Sequence, residues 1–217
     1  MKYPVLRLTS RLFGSKKLGQ IRCLSHKKCW KCNEEAGGGH FCNSCKAILP
    51  PLDGNLFEYV GLSKKFSLDE STLKKNFRDM QSQLHPDKFA QSSSREKELS
   101  EEHSRQLNKA FRTLSEPLAR AKYLLKLEGA DKKDDLNPET LMEIMEWNEH
   151  VASLTEENKL QKEVEKVEAD VEEELGCLAE AFNDKNYQKA REHITLLTYL
   201  YSIRNTLDNK LQAFLNG

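Results

Sequence analysis

Two C-x-x-C pairs, Cys29-Trp30-Lys31-Cys32 and Cys42-Asn43-Ser44-Cys45, are separated by nine residues that include Gly37, Gly38 and Gly39. Each pair sets two thiolates on a turning knuckle, and the glycine-rich link lets the knuckles face each other, which is the donor set of a tetrahedral metal site. Four thiolates suit one structural zinc ion, and a closed shell staples a small module rather than catalysing. A redox dithiol is the competing use, but no strand-helix pattern follows the first pair as a thioredoxin-type site requires. His26 and His40 are expected to be bystanders, since four sulfurs already close the shell; Cys177 has no partner in sequence and reads as a packing residue. A second constellation lies at His85-Pro86-Asp87. Pro86 bars His85 from helical geometry and Asp87 can turn the chain, so an imidazole and a carboxylate are exposed in fixed relation, as a docking point requires. So short a tripeptide also occurs by chance, and its surroundings must decide.

Those surroundings are two amphipathic segments. Leu73, Phe77, Met80 and Leu84 recur at one-face helical spacing, and Ser67 with Glu70 reads as a capping box, predicting a helix over about residues 67–84. Beyond the loop, Ser93 and Glu96 form a second box ahead of the stripe Leu99, His103, Leu107, Ala110, Phe111 and Leu114. Two such stripes on a short connection pack antiparallel. Lys74, Lys75 and Arg78 fall away from the first stripe, as a solvated face or as a basic docking patch. Helix, His-Pro-Asp, helix resembles a J-domain. The segment from Leu56 to Leu62 is similar to that family's short first helix, and Asn108 to Leu114 followed by Pro117, Arg120 and Tyr123 to its third helix and exit. The resemblance covers about residues 55–128. It implies stimulation of a DnaK-type chaperone ATPase through His85, Pro86 and Asp87. Lys74, Lys75 and Arg78, by their place on the helix face before that turn, form a patch suited to steering association with an acidic chaperone surface.

The chain has 217 residues, 38% hydrophobic and 31% charged. No apolar run reaches eighteen residues, which points away from a membrane span, and scarce Val/Ile/Thr alternation leaves helix as the main element. Net charge is zero, yet residues 1–28 hold eight Lys/Arg and no acid, while residues 135–184 hold sixteen Asp/Glu against three Lys. An Arg-rich, acid-free, amphipathic start with serines has the character of a mitochondrial transit peptide, the alternative being a merely basic tail. Residues 1–28 are thus expected to be a leader, 29–50 a zinc module, 51–130 the J-like domain, and 131–217 a C-terminal domain opening at Asn137-Pro138. In the last, Leu160, Val164, Val167, Val171, Leu175, Leu178 and Phe182 mark one long helix, and Ala190, Ile194, Leu197, Tyr201, Leu207 and Leu211 another. With a first helix over about residues 138–152 they predict a three-helix bundle, and the whole is all-α.

That first helix carries more apolar residues than one face can bury. Ile144, Trp147, Val151 and Leu154 share one side; Leu141, Met142 and Met145 share another, beside Glu146 and Glu149. An apolar patch with a charged rim fits a partner surface, and methionines adapt to it. The full arrangement is similar to the HscB-type iron-sulfur co-chaperones of animal mitochondria. That resemblance implies a non-enzymatic adaptor of the mitochondrial matrix, which presents the cluster-assembly scaffold to a DnaK/HscA-type ATPase. It carries Leu141, Met142, Met145, Glu146 and Glu149 over as scaffold contacts, with Tyr199 as an aromatic contact on the last helix. A general matrix J-protein binding unfolded chains, or a thiol oxidoreductase, are the rivals. Nucleic-acid binding is disfavoured, because the module offers few basic residues and only Trp30 and Phe41 for stacking.

Overall fold

The computed structural model describes residues 28–52, 54–132 and 138–215. The expected leader, with Cys23 and His26, and the expected Asn137 cap lie outside them. Among the described residues every regular element is helical, and one antiparallel bridge, Phe41 to Ile48, stands apart.

Helix α1 (Leu56–Tyr59) starts on Asn55, whose Oδ1 accepts the Glu58 N–H at 3.0 Å. Helix α2 (Glu70–Leu84) begins later than expected: its cap is Asp69, not Ser67. Asp69 accepts the Ser71 N–H at 3.0 Å and the Ser71 hydroxyl at 2.7 Å, and it ends the extended segment closer to the first free amides than Ser67 can. A single turn of 3-10 helix, Pro86–Phe89, leads into α3 (Ser94–Ser115), where both halves of the Ser93/Glu96 box form. Side chains pair in reverse order along the two long helices. Phe77 meets Phe111 with ring centroids 4.4 Å apart, and the Ser100 hydroxyl donates to Leu84 O at 2.7 Å, so α2 and α3 are antiparallel. Helix α4 (Pro117–Leu127) opens with proline at its first position, capped by Glu116, and is released through Gly129 at φ +65°.

The C-terminal half is the expected bundle: α5 (Pro138–Ser153), α6 (Glu157–Asn183) and α7 (Tyr187–Leu215). Helices α6 and α7 are antiparallel, as the pairs Glu174–His193 at 2.6 Å and Glu168–Arg204 at 2.7 Å require. The ammonium of Lys210 reaches the Val151, Ala152 and Leu154 carbonyls at 2.8, 2.6 and 3.1 Å, a cation on the unpaired acceptors at the end of α5.

One hydrophobic core runs from the α1–α4 unit into the bundle. At the seam Phe66 stacks on Phe182 at 5.3 Å, and the Arg120 guanidinium lies 5.1 Å from the Phe66 ring. Lys64 pairs with Glu128 at 2.6 Å, Arg191 Nη1 donates to Ala130 O at 3.3 Å, and α4 lies on α7. The cysteine module has its own small core of Cys29, Ala36, Cys42, Ala47 and Leu49. It is joined to the helices through His103, whose Nε2–H donates to Leu49 O at 2.8 Å while Nδ1 accepts the Tyr59 hydroxyl at 2.9 Å. Burial pushes the Tyr59 phenol well above its ordinary range, which keeps that hydroxyl a donor.

Candidate functional site

Proline dictates the geometry of the His-Pro-Asp turn. His85 has φ −62° and ψ 133°, the extended conformation a residue before proline adopts, and there it ends α2. With the ring neutral, Nδ1 accepts the Asp87 N–H at 3.3 Å and the proton sits on Nε2; the Asp87 carboxylate lies 3.5 Å from Nδ1. The side chains are 43% and 90% exposed, so the turn presents a donor and an acceptor side by side. Lys74, Lys75 and Arg78 are all exposed on α2. Arg78 lies one turn from Lys74 and about two turns before His85, so these three share a face. Lys74 bonds Glu70 at 3.1 Å, while Lys75 and Arg78 form no ion pair among the described residues.

The four expected metal ligands are together. The sulfurs of Cys29, Cys32, Cys42 and Cys45 all lie within 4.8 Å of one another, and this set could hold a metal ion. Cys29 and Cys45 are 3.6 Å apart and Cys32 and Cys42 are 3.7 Å apart. A tetrahedron with metal-sulfur bonds of ~2.3 Å has edges of about 3.8 Å, so the spacing fits a tetrathiolate centre. These pairs also cross between knuckles rather than closing within either C-x-x-C. The Cys45 and Ser44 backbone N–H groups hold the Cys42 thiol down to about 6. For Cys32 the Glu34 backbone group pulls downward, but burial and the neighbouring sulfurs win and push it up to about 12. Four thiolates this close need a shared cation. Asn33 and Lys46, each just after the second cysteine of a pair, take φ +63° and +59° and close the knuckles. Of the glycine link, Gly37 is the position that needs glycine: it has φ +80°, and a Cβ there would sit 2.5 Å from the Asn43 amide. His40 is no ligand; its ring meets Tyr59 and His103 edge-on at 5.6 and 5.1 Å.

On α5 the two faces separate as the sequence predicts. Ile144 and Val151 are buried, whereas Leu141, Met142 and Met145 are 43%, 62% and 56% exposed, with Glu146 and Glu149 also in solvent. Tyr199 is half-buried on α7. Helices α5 and α7 run parallel, being each antiparallel to α6, and they are pinned where Lys210 meets Val151 and Ala152. About eleven residues back along each, roughly 16 Å from that pin, Tyr199 and Leu141 come to one level.

Each site stands well away from the seam. Phe66 and the seam lie at the start of α2 and His85 at its end, about 22 Å away along fifteen residues. In the bundle, Trp147 Nε1 donates to Glu163 at 2.6 Å near the start of α6, about 28 Å along that helix from Phe182. Sequence reasoning missed the residues that hold this frame, Phe66, Ile48, Tyr59 and the partners of His103. Each acts through a contact distant in the chain, where no local pattern signals it.

The helix, His-Pro-Asp turn and helix match the family model described as the DnaJ domain over residues 55–123, and the bundle matches the HSCB C-terminal oligomerisation domain over residues 136–208. These define a J-domain co-chaperone. The chain is 35% identical over 191 residues to the iron-sulfur cluster co-chaperone protein HscB of Mus musculus, covering 83% of this chain and 81% of that protein. It is 32% identical to the HscB homolog of Arabidopsis thaliana, over 89% and 75% of the two chains. The crystal structure of human co-chaperone protein HscB superposes with a TM-score of 0.80 at 31% identity, over 84% of this chain and 98% of that one. The chain belongs to the HscB family of iron-sulfur cluster co-chaperones. Among the described residues no helix is long and apolar enough to cross a membrane.

Proposed function

We propose that this co-chaperone holds the iron-sulfur cluster assembly scaffold on α5, with Tyr199 beside it, and delivers it to a DnaK/HscA-type chaperone whose ATPase it stimulates through His85, Pro86 and Asp87. What supports this reading is that the exposed His-Pro-Asp turn and the exposed apolar side of α5 lie on different units of one continuous core, each about 20 Å or more along a helix from the seam. Both partners can then be held at once without touching each other's site. Tethering raises the local concentration of scaffold at the chaperone far above its bulk value. The Nε2–H of His85 and the Asp87 carboxylate offer complementary hydrogen bonds to the ATPase, and Lys74, Lys75 and Arg78 speed encounter with an acidic surface. In the module, Cys29, Cys32, Cys42 and Cys45 hold one zinc ion, a structural ion that closes the two knuckles. The acid-free leader addresses the protein to the mitochondrial matrix.

The test is single-turnover ATP hydrolysis by a DnaK/HscA-type chaperone, with and without scaffold, run beside calorimetric titration of the scaffold. His85→Gln should abolish stimulation and leave scaffold affinity unchanged; the combined Leu141→Ala, Met142→Ala and Met145→Ala variant should do the reverse. Equal stimulation by wild type and His85→Gln would sink the docking role of the turn. Competition by an unrelated extended peptide would favour a general folding role instead.

A further inference from the structure

Residues 40–49 run from the second cysteine knuckle to the flank of the His-Pro-Asp turn. His40 O accepts the Leu49 N–H at 2.8 Å, Phe41 and Ile48 form the bridge, and the Cys42 N–H donates to Ala47 O at 2.9 Å. The segment that positions Cys42 and Cys45 therefore also positions Ile48. Ile48 is buried in a cluster with Leu84 and Leu99, edged by Phe41, Met80 and Phe89. Leu84 is the last residue of α2, next to His85, and Phe89 closes the 3-10 turn that contains Pro86 and Asp87. Both flanks of the turn thus rest on a cluster whose central side chain comes from the cysteine module. The first knuckle reaches the same place. Trp30 Nε1 donates to Ile48 O at 2.7 Å, and Lys31 pairs at 3.1 Å with Glu96, the carboxylate that boxes the start of α3.

Backbone bonds from the Lys88 N–H to His85 O at 3.0 Å and from the Ala90 N–H to Asp87 O at 3.3 Å close the turn, and its side chains add little to them. Its internal side-chain contacts are the 3.3 Å bond to His85 Nδ1 and the 3.5 Å approach of the Asp87 carboxylate, both facing solvent, where such contacts contribute little. The module in turn has too small an apolar core to offset the entropy of ordering its chain. In modules of this kind, metal ligation and folding are one event.

We propose that the four-cysteine module braces the His-Pro-Asp turn, with Ile48 as the positioning residue, so that metal loading sets how firmly His85 and Asp87 are preorganised. The scaffold-facing helix, which belongs to the bundle beyond the seam, does not feel it. The inference rests on the reading that this turn docks the chaperone. Its structural half can be measured without the chaperone.

The experiment is amide hydrogen exchange on the full chain, zinc-loaded or stripped by a chelator under thiol reductant, with Ile48→Ala and Ile48→Val in the loaded state. Stripping should speed exchange at residues 85–92 by about tenfold or more while residues 167–182 of α6 keep their protection. Loaded Ile48→Ala, its zinc confirmed by metal analysis, should show the same local rise, and Ile48→Val a smaller one; if Ile48→Ala loses its ion, Ile48→Val alone carries the comparison. Unchanged exchange at residues 85–92, or a rise shared equally by α6 and α7, overturns the brace. Stimulation of the ATPase is read in parallel. A loaded wild type that fails to stimulate removes the docking reading and leaves the exchange result standing. A loaded wild type that stimulates, matched in full by loaded Ile48→Ala, removes the brace.

Discussion

Ser67 and Asp69 both carry the chemistry of a helix cap, and the difference between them lies in how many donors each can satisfy. The Asp69 carboxylate takes the Ser71 hydroxyl and N–H on one oxygen and the Thr72 hydroxyl, at 2.5 Å, on the other. The Thr72 and Ser71 hydroxyls hold its acid down to about 2. A depressed acid stabilises the fold fully above its unfolded value, near 4, and the contribution fades as pH falls through 2. The melting temperature of Asp69→Ala should therefore lie below wild type by a constant margin from pH 7 to pH 5, and that margin should shrink as the pH approaches 2. A margin independent of pH would mean the cap works without its charge. The residue types were legible here, but Ser67 with Glu70 satisfies the capping pattern as well as Asp69 does, and only the path of the chain chooses. His85 posed no such choice, since Pro86 fixes its backbone from the next position.

Among the elements, α5 puts core and surface side by side. Ile144 is buried and Met145, its neighbour, is more than half exposed. Ile144→Ala should cost about 2–5 kcal/mol of stability in a denaturant titration. Met145→Ala should leave the midpoint almost unmoved and weaken scaffold binding by roughly tenfold or more, the loss typical of a central apolar contact. If both variants lose only stability, α5 is no docking surface. Helical periodicity revealed the two faces; composition could not say which was outward, because that depends on what α6 and α7 cover. The buried stripe on α7 is wider than its spacing predicts for a similar reason. Leu200 and Ile203 are buried beside the expected Ala190, Ile194, Leu197 and Leu207, because α7 lies against α4 and α5 as well as α6. A helix with three neighbours needs a wider apolar arc than one with a single partner.

For the molecule as a whole, the seam decides whether the two ends behave as one body. The charged turn 131–135 reads in sequence as the boundary between two domains, and nothing local marks Phe66 and Phe182 as partners. Yet they stack, Arg120 covers Phe66, and the core is continuous across them. Arg120 is buried at this point, which lowers its pKa through desolvation, and the acids Glu70 and Glu116 act against that shift. Two units that share a core unfold together as long as the coupling between them exceeds the difference in their separate stabilities. Wild type should then melt in one calorimetric transition. Phe182→Ala should remove about 2–3 kcal/mol, because the half-buried ring leaves a partly solvated gap. That loss falls on the coupling rather than on either unit, so the variant should melt in two steps, with the bundle and the α1–α4 unit resolved. A single sharp transition in Phe182→Ala would show that Lys64–Glu128 and the α4–α7 packing couple the ends without the aromatic stack.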